Sequence, residues 1–182
     1  IMDAFQQSGG GAFYLSDKLQ THPRVFAVEY LGKPLSVWIY IWTLTGGGRD
    51  TLPDEFRVQL TSVESPFALN PNGYTVLMGY HPDLGVFAGF DIIKHRKFTP
   101  GSSSVQINIS ALHQALQIGF SFHRKSNDEI AVGIRPDQIV NYVLSADVLH
   151  KYGPEADLTA FLNQAADPAQ DVDPSVDELG AE

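Results

Sequence analysis

Cysteine is missing from all 182 residues, so the chain holds neither a disulfide scaffold nor a zinc site built on thiolates. That absence fits a reducing compartment, and the expected location is cytoplasmic. Long hydrophobic runs are missing too. The most apolar stretch, Leu35 to Leu44, is short for a membrane span and is interrupted by Ser36, Tyr40 and Thr43. The opening residues, Ile1 to Gly11, lack the basic start and apolar centre of a signal peptide, so no membrane partner is expected. Bases are scarce as well, 12 against 21 acids for a net charge of −9. Taken alone, this argues against nucleic acid, because phosphate contacts need Lys and Arg.

The distribution of charge changes that reading. From Lys151 to Glu182 one base faces eight acids, a net of −7, which leaves only −2 for residues 1–150. Within this nearly neutral body the bases cluster, at Lys94, Arg96 and Lys97 around His95, and at Arg124 and Lys125 beside His123. Such clusters make a local positive patch on a protein of unremarkable total charge, although a solvated loop has the same composition.

Periodicity places these clusters on a framework. Residues 1–11 read as a flexible, Gly-rich start, and Ala12 to Thr21 predicts a short amphipathic helix with Phe13 and Leu19 inward, ended by His22-Pro23. Strands follow at Val25 to Tyr30 and Leu35 to Leu44, joined by Gly32-Lys33-Pro34 as a hairpin. The second alternates Trp38, Tyr40 and Trp42 with Val37, Ile39 and Ile41, so it is apolar on both faces and belongs at the centre of a sheet or under a helix. Phe56, Val58 and Leu60 alternate with Arg57 and Gln59, which puts the latter two on a polar face. Tyr74 to Tyr80 and Gly85 to Asp91 form a hairpin, and the basic segment 94–97 follows as a loop. Val105 to Ile109 predicts a strand running into a helix capped by Ser110 and stopped at Gly119. Phe120 to His123 and Glu129 to Arg135 are strands, and Pro136 opens the longest helix, Asp137 to Lys151, with Ile139, Val140, Val143, Leu144 and Val148 inward. The sum is one α+β domain over residues 12–153, with a curved, mostly antiparallel sheet that predicts a seven-stranded pseudobarrel and with helices late in the chain. A short helix over 154–166 and an acidic disordered linker over 167–182 complete the expectation.

Tests for chemistry come out negative. Metal-dependent nucleases of the restriction type need an acid followed by Glu-x-Lys. Here Pro53-Asp54-Glu55-Phe56-Arg57 carries Arg where Lys is required, and Asp91 comes after rather than before it. Six histidines show no metal-ligand spacing. Gly46 to Gly48 lacks the Lys-Ser/Thr ending of a phosphate loop, and no serine occupies a nucleophile elbow. No catalytic residue, metal or cofactor is assigned. Recognition remains. Arg49, Arg57, Gln59, Ser102, Ser103, Ser104, Gln106 and Asn108 are side chains suited to base edges and phosphates. All of these but Asn108 join Lys94, His95, Arg96, Lys97, Arg124 and Lys125 as the candidate DNA-binding set, although the wet face of a sheet has the same composition.

Five stretches, Trp42-Thr-Leu-Thr-Gly-Gly-Gly-Arg49, Asp54-Glu-Phe-Arg-Val-Gln-Leu60, Gly85-Val-Phe-Ala-Gly-Phe-Asp91, Ser103-Ser-Val-Gln-Ile107 and Glu129-Ile-Ala-Val-Gly-Ile-Arg-Pro136, follow one another in an order and spacing that resemble the amino-terminal domain of bacterial HNH-type restriction endonucleases. The resemblance covers about residues 12–150. It implies a target-recognition domain that reads the major groove of double-stranded DNA from a pseudobarrel, with a nuclease module following it as a partner. The chain itself contains no HNH motif. Two readings of other classes stand beside this one: a small ligand-binding or enzymatic barrel with Trp38, Tyr40, Trp42 and Phe90 lining its pocket, and a protein-interaction module that exposes its acidic tail.

Overall fold

A computed structural model describes residues 1–15 and 21–156. In chain order its elements are α1 (Met2–Gln7), β1 (Gly11–Tyr14), β2 (Arg24–Tyr30), β3 (Lys33–Thr43), β4 (Thr45–Gly46), β5 (Glu55–Gln59), β6 (Tyr74–His81), β7 (Val86–Phe90), β8 (Ser104–Asn108), α2 (Ile109–Ile118), β9 (Phe120–Arg124), β10 (Ile130–Ile134) and α3 (Ile139–Tyr152). The short helix expected over 154–166, beyond Ala156, and the acidic linker over 167–182 lie outside the described residues.

The class is α+β, as the periodicities imply, and the sheet is mostly antiparallel. It does not close into a barrel. Seven strands form one sheet in the order β1-β2-β3-β6-β7-β10-β9, and β4, β5 and β8 form a second, three-stranded sheet. All pairs are antiparallel except β3 with β6, where Val37 lies beside Tyr74 and Thr43 beside Tyr80. A barrel needs its outer strands to meet, whereas β1 and β9 stand at opposite edges.

The two-faced strand behaves as its alternation demands. Val37, Ile39 and Ile41 of β3 are buried in one core with α1, α3 and the same-side residues of β2, β6 and β10. Tyr40 is buried in the other core, beneath β5, β8 and α2, with Trp42 at its margin. Each residue of β7 and β10 is buried, because both faces of the large sheet are covered. The molecule is therefore layered: helices α1 and α3, then the seven-stranded sheet, then the small sheet with α2.

Three local expectations are corrected. The start is not loose: α1 buries Ala4 and Phe5 against the sheet. Instead of a helix, residues 11–14 form β1, because backbone pairing of Gly11 with Glu29 through Tyr14 with Phe26 outweighs a weak helical pattern; residues 16–20 of that expectation lie outside the described residues. The N-cap of α2 is Asn108, whose side chain accepts from the Ser110 backbone N–H at 2.8 Å, so Ser110 lies inside the first turn. Gly119 ends α2 as expected. A single 3-10 turn, Pro136–Gln138, precedes α3, and Val148 is only half-buried.

Helix α3 is fixed to the sheet by a buried polar chain. His150 donates from Nδ1 to the Ile130 carbonyl at 2.7 Å, because a carbonyl only accepts. Its Nε2 therefore accepts the Tyr142 hydroxyl at 2.8 Å. Burial lowers the pKa of His150 and raises that of Tyr142 well above its ordinary value, so both groups stay neutral. The close approach of Tyr142 depends on Gly89 of β7, where a Cβ would lie 2.3 Å from the ring. Gly89→Ala is expected to cost about 1–3 kcal/mol by overpacking, and Tyr142→Phe about 1–3 kcal/mol by leaving the imidazole without its donor; urea unfolding measures both. The depressed His150 pKa also fixes a pH dependence. As pH falls through 6.5, the unfolded chain takes up a proton that the folded ring refuses, so stability falls with pH. Urea midpoints at acid and neutral pH should show this decline, and His150→Gln should remove part of it.

Candidate functional site

The small sheet has one core face and one open face. Val58, Val105 and Ile107 point into the core, so Glu55, Arg57 and Gln59 of β5 and Ser104, Gln106 and Asn108 of β8 emerge on the other side. Register pairs them across the strands: Arg57 with Gln106, Gln59 with Ser104 and Glu55 with Asn108. Thr45 of β4 flanks Arg57 on its other side. Among the described residues no side chain or carbonyl holds the Arg57 guanidinium, whereas Gln106 donates to the Ser104 hydroxyl at 2.9 Å. Gln59 is committed differently, since its amide donates to the Gly101 carbonyl and ties the 99–103 turn to β5. The serines organise that same turn. Ser103 Oγ accepts from the Thr99 N–H at 2.9 Å, and Ser102 Oγ donates to the Thr99 carbonyl at 3.4 Å.

At one end of this face the segment 51–55, the end of β8, and residues 123–127 at the end of β9 and in the turn after it enclose a pocket of about 540 Å³. Gln106 and Asn108 line it from β8, Glu55 from β5, and His123, Arg124 and Lys125 from β9 and its turn. The turn that begins at Arg49 forms part of the rim, through the Leu52 N–H bonded to the Arg49 carbonyl at 2.9 Å. Arg124 also lines a second pocket, of about 370 Å³, with Lys94, Asp91 and Lys151. Of the residues singled out from sequence, Gln106, Arg124 and Lys125 thus line this pocket and Arg124 connects it to Lys94, whereas Arg49, Arg57, Gln59 and Ser102 to Ser104 do not line it.

The two basic clusters are joined through a buried acid. Glu129, 3% exposed, accepts from His95 Nε2 at 2.5 Å and lies 3.6 Å from Lys125 Nζ. Burial works against its charge, but His95, Lys125 and the Asn127 amide together hold its pKa down at about 2. Burial in turn pulls the Lys125 pKa down, and Glu129 and Glu55 oppose this. Lys125 also stands over the Phe90 ring, 5.7 Å from its centre. His95 and Lys125 are accordingly structural partners of this carboxylate, half-buried against it. Arg124 pairs with Asp128 at 2.6 Å in the open. Lys94, Arg96 and Lys97 are exposed, with Arg96 Nε donating to the Phe67 carbonyl at 3.3 Å. Asp91 caps their loop by accepting from the N–H groups of Ile93 and Lys94, at 3.1 and 3.2 Å.

Within the pocket His123 has a defined tautomer. The Asn108 backbone N–H donates to its Nδ1 at 3.1 Å, so the neutral ring carries its proton on Nε2. Burial, then Lys125, lower its pKa, and Glu129 and Glu55 partly offset them. Of the residues gathered here, Asn108 is among the polar side chains that the sequence offers for recognition, whereas Glu129, His123 and Glu55 are not assigned to the site from sequence. The signal for Glu129 was an acid heading a wholly apolar strand four residues after a lysine. The aromatic residues proposed to line one pocket do not do so. Tyr40 and Phe90 are buried in the core, and Trp42 stacks on His22 at 4.3 Å while its indole donates to the Thr61 carbonyl at 3.2 Å. Among the described residues no group of three or more His, Asp or Glu side chains is arranged to hold a metal. No helix among them is long and apolar enough to cross a membrane.

Comparison with known proteins adds a family. The family model MTaX1, described as Methylase-associated X1, matches residues 35–143, which span β3 through the first turn of α3 and contain this whole site. No curated protein and no solved structure matches the chain. The family description suggests a domain associated with restriction–modification systems, and it does not single out HNH-type restriction endonucleases.

Glu129→Gln isolates the ionic anchor. At neutral pH the variant is expected to lose about 1–3 kcal/mol, because half-buried Lys125 is left without its counter-charge and His95 loses a charged hydrogen-bond acceptor. Since the carboxylate's folded pKa lies near 2, below its ordinary 4.5, its stabilisation is complete above about pH 4.5 and is lost as pH falls toward 2. Urea unfolding of both proteins at neutral pH and below pH 4 should show the gap closing.

Proposed function

This chain belongs to the Methylase-associated X1 family, and we propose that it serves there as a sequence- or modification-specific reader of double-stranded DNA. One observation carries the reading: Arg57 and Gln106 are direct cross-strand partners on an open sheet face, and segments distant in sequence bring further polar and basic groups to the end of that face. Arg makes paired hydrogen bonds to guanine and Gln to adenine, so two such side chains about 5 Å apart at the backbone, the spacing of opposed residues on one sheet face, suit neighbouring base pairs. Exposed Lys94, Arg96, Lys97 and Arg49 supply phosphate contacts, and Ser103 and Ser104, whose oxygens accept within the fold, donate their hydroxyls to the DNA backbone. Electrostatics favours such a division. A body of nearly neutral charge binds DNA through a local cluster, with the remaining acids limiting nonspecific binding. The domain asks for no metal or cofactor of its own, and cleavage in such an arrangement falls to a separate nuclease module.

The test is a mobility shift on methylated and unmethylated duplex pools, followed by variants on the duplex selected. Arg57→Ala and Gln106→Ala are each expected to cost about 1–3 kcal/mol on that duplex and much less on random DNA. Replacing Lys94, Arg96 and Lys97 together by Ala should weaken binding on every sequence and flatten the dependence on salt. No duplex binding at low salt would overturn the reading. Equal losses on selected and random DNA would make Arg57 and Gln106 phosphate contacts.

A further inference from the structure

The pocket at the end of the open face holds a set of hydrogen-bonding groups that the fold does not use. Glu55 and Asn108 are cross-strand partners, two residues along from Arg57 and Gln106 on the same face. That step is about 7 Å, two strand rises, and is comparable to the height of two stacked base pairs. Among the described residues, the Glu55 carboxylate has no hydrogen-bond or ion-pair partner. Asn108 employs its oxygen to cap α2, through the Ser110 N–H at 2.8 Å, which leaves its NH2 as a free donor. His123 accepts from the Asn108 N–H on Nδ1, and this fixes its other nitrogen as an N–H donor without a protein partner among the described residues. The pocket thus presents one acceptor and two donors in about 540 Å³, within the roughly 300–1,000 Å³ of small-molecule sites.

We propose that this pocket receives a single nucleobase with the hydrogen-bonding edge of cytosine, turned out of the duplex beside the Arg57–Gln106 pair. The inference rests on the DNA-reading function above. Cytosine displays one donor, its exocyclic amine, followed by two acceptors, N3 and O2. Glu55 accepts from the amine, and His123 and Asn108 donate to the two acceptors. Guanine offers two donors and one acceptor on that edge, so one protein donor stays unmatched. Thymine sets a carbonyl against the Glu55 carboxylate. Adenine has no acceptor where cytosine has O2. A mismatch that leaves a base unpaired lowers the cost of extruding it. The same edge exists on free cytidine nucleotides, so the chemistry has two sources that experiment must separate.

The first arm titrates the protein with dCMP, dAMP, dGMP and dTMP and follows the His123 ring resonances by NMR. Binding of dCMP is expected to be tighter than that of the others by roughly tenfold, and Glu55→Gln should erase the preference. The second arm compares a fully paired duplex pool with the same pool carrying one mismatched cytosine, for the wild type, Glu55→Gln and His123→Phe, with thermal unfolding as the check on folding. The wild type is expected to favour the mismatched pool, and both variants to lose that preference while still binding paired DNA. Paired and mismatched DNA bound alike, with no dCMP preference, overturns the pocket assignment and leaves the DNA-reading function standing. Binding of dCMP without any duplex binding assigns the pocket to free nucleotide and overturns both the extrusion and the DNA-reading function. Equal binding of all four mononucleotides overturns the edge assignment.

Discussion

Burial of the seven-stranded sheet on both faces is the constraint from which the rest of this structure follows. Val37, Ile39 and Ile41 of β3 need one apolar layer and Tyr40 needs another, and β7 and β10 are buried throughout. A sheet in that position has few side chains free for recognition, because a polar group exchanged into either core would require its own buried partner. The helical layer and the small sheet are the covers, and only the covers have a second, wet side. The open face of β5 and β8 is thus where the fold allows recognition chemistry in a regular array. The loops at its end are where other segments can join it.

Close layering has a second consequence, felt in the glycines of the central strands. At Gly89 a Cβ would meet Tyr142, and at Gly133 it would meet Ser121 Oγ at 2.3 Å and the Ala111 carbonyl at 2.8 Å. On opposite sides of the sheet these two positions let α3 and α2 approach the strands directly. The Tyr142–His150–Ile130 chain and the Ser121 hydroxyl bonded to the Ala111 carbonyl turn that proximity into specific registers for the two helices. Since α2 begins at Asn108, its placement also fixes the end of β8, and with it the Asn108 N–H that sets the His123 tautomer. Packing on the far side of β10 and proton placement in the pocket are links in one mechanical chain.

Much of the framework was legible because its periods are local. The two-faced run of β3, the clean alternation of β5, the β6–β7 hairpin, the Gly119 stop and the length of α3 all follow from residue spacing. What was not legible depends on partners far along the chain. Residues 11–14 become a strand only because β2 is available to pair. The sheet stays open because a second, three-stranded sheet covers it, an outcome that no single strand encodes. At the site, Arg57 and Gln106 were both read as outward-facing, yet their direct opposition is a fact of register across β5 and β8. His95 was read as part of a basic loop, and its partner Glu129 is 34 positions away. Local pattern tells which way a side chain points; only the tertiary pairing tells whether its charge is still free.

That distinction decides what a cluster of bases can do. Grouped by sequence alone, residues 94–97 with 124–125 make one positive patch. In three dimensions the buried Glu129 pairs with Lys125 and hydrogen-bonds His95, both half-buried, and Asp128 pairs with Arg124. A fully cationic patch would bind any polyanion, whereas a patch anchored on a buried carboxylate keeps its outer lysines on a rigid base and carries less net charge. The low pKa of Glu129 means that this anchor stays ionised throughout the neutral range. Under the proposed DNA-reading function, discrimination therefore falls to the hydrogen-bonding groups without a structural partner among the described residues, the Arg57 guanidinium and the free groups of the pocket around His123, because much of the charge in these two clusters is spent on holding the scaffold.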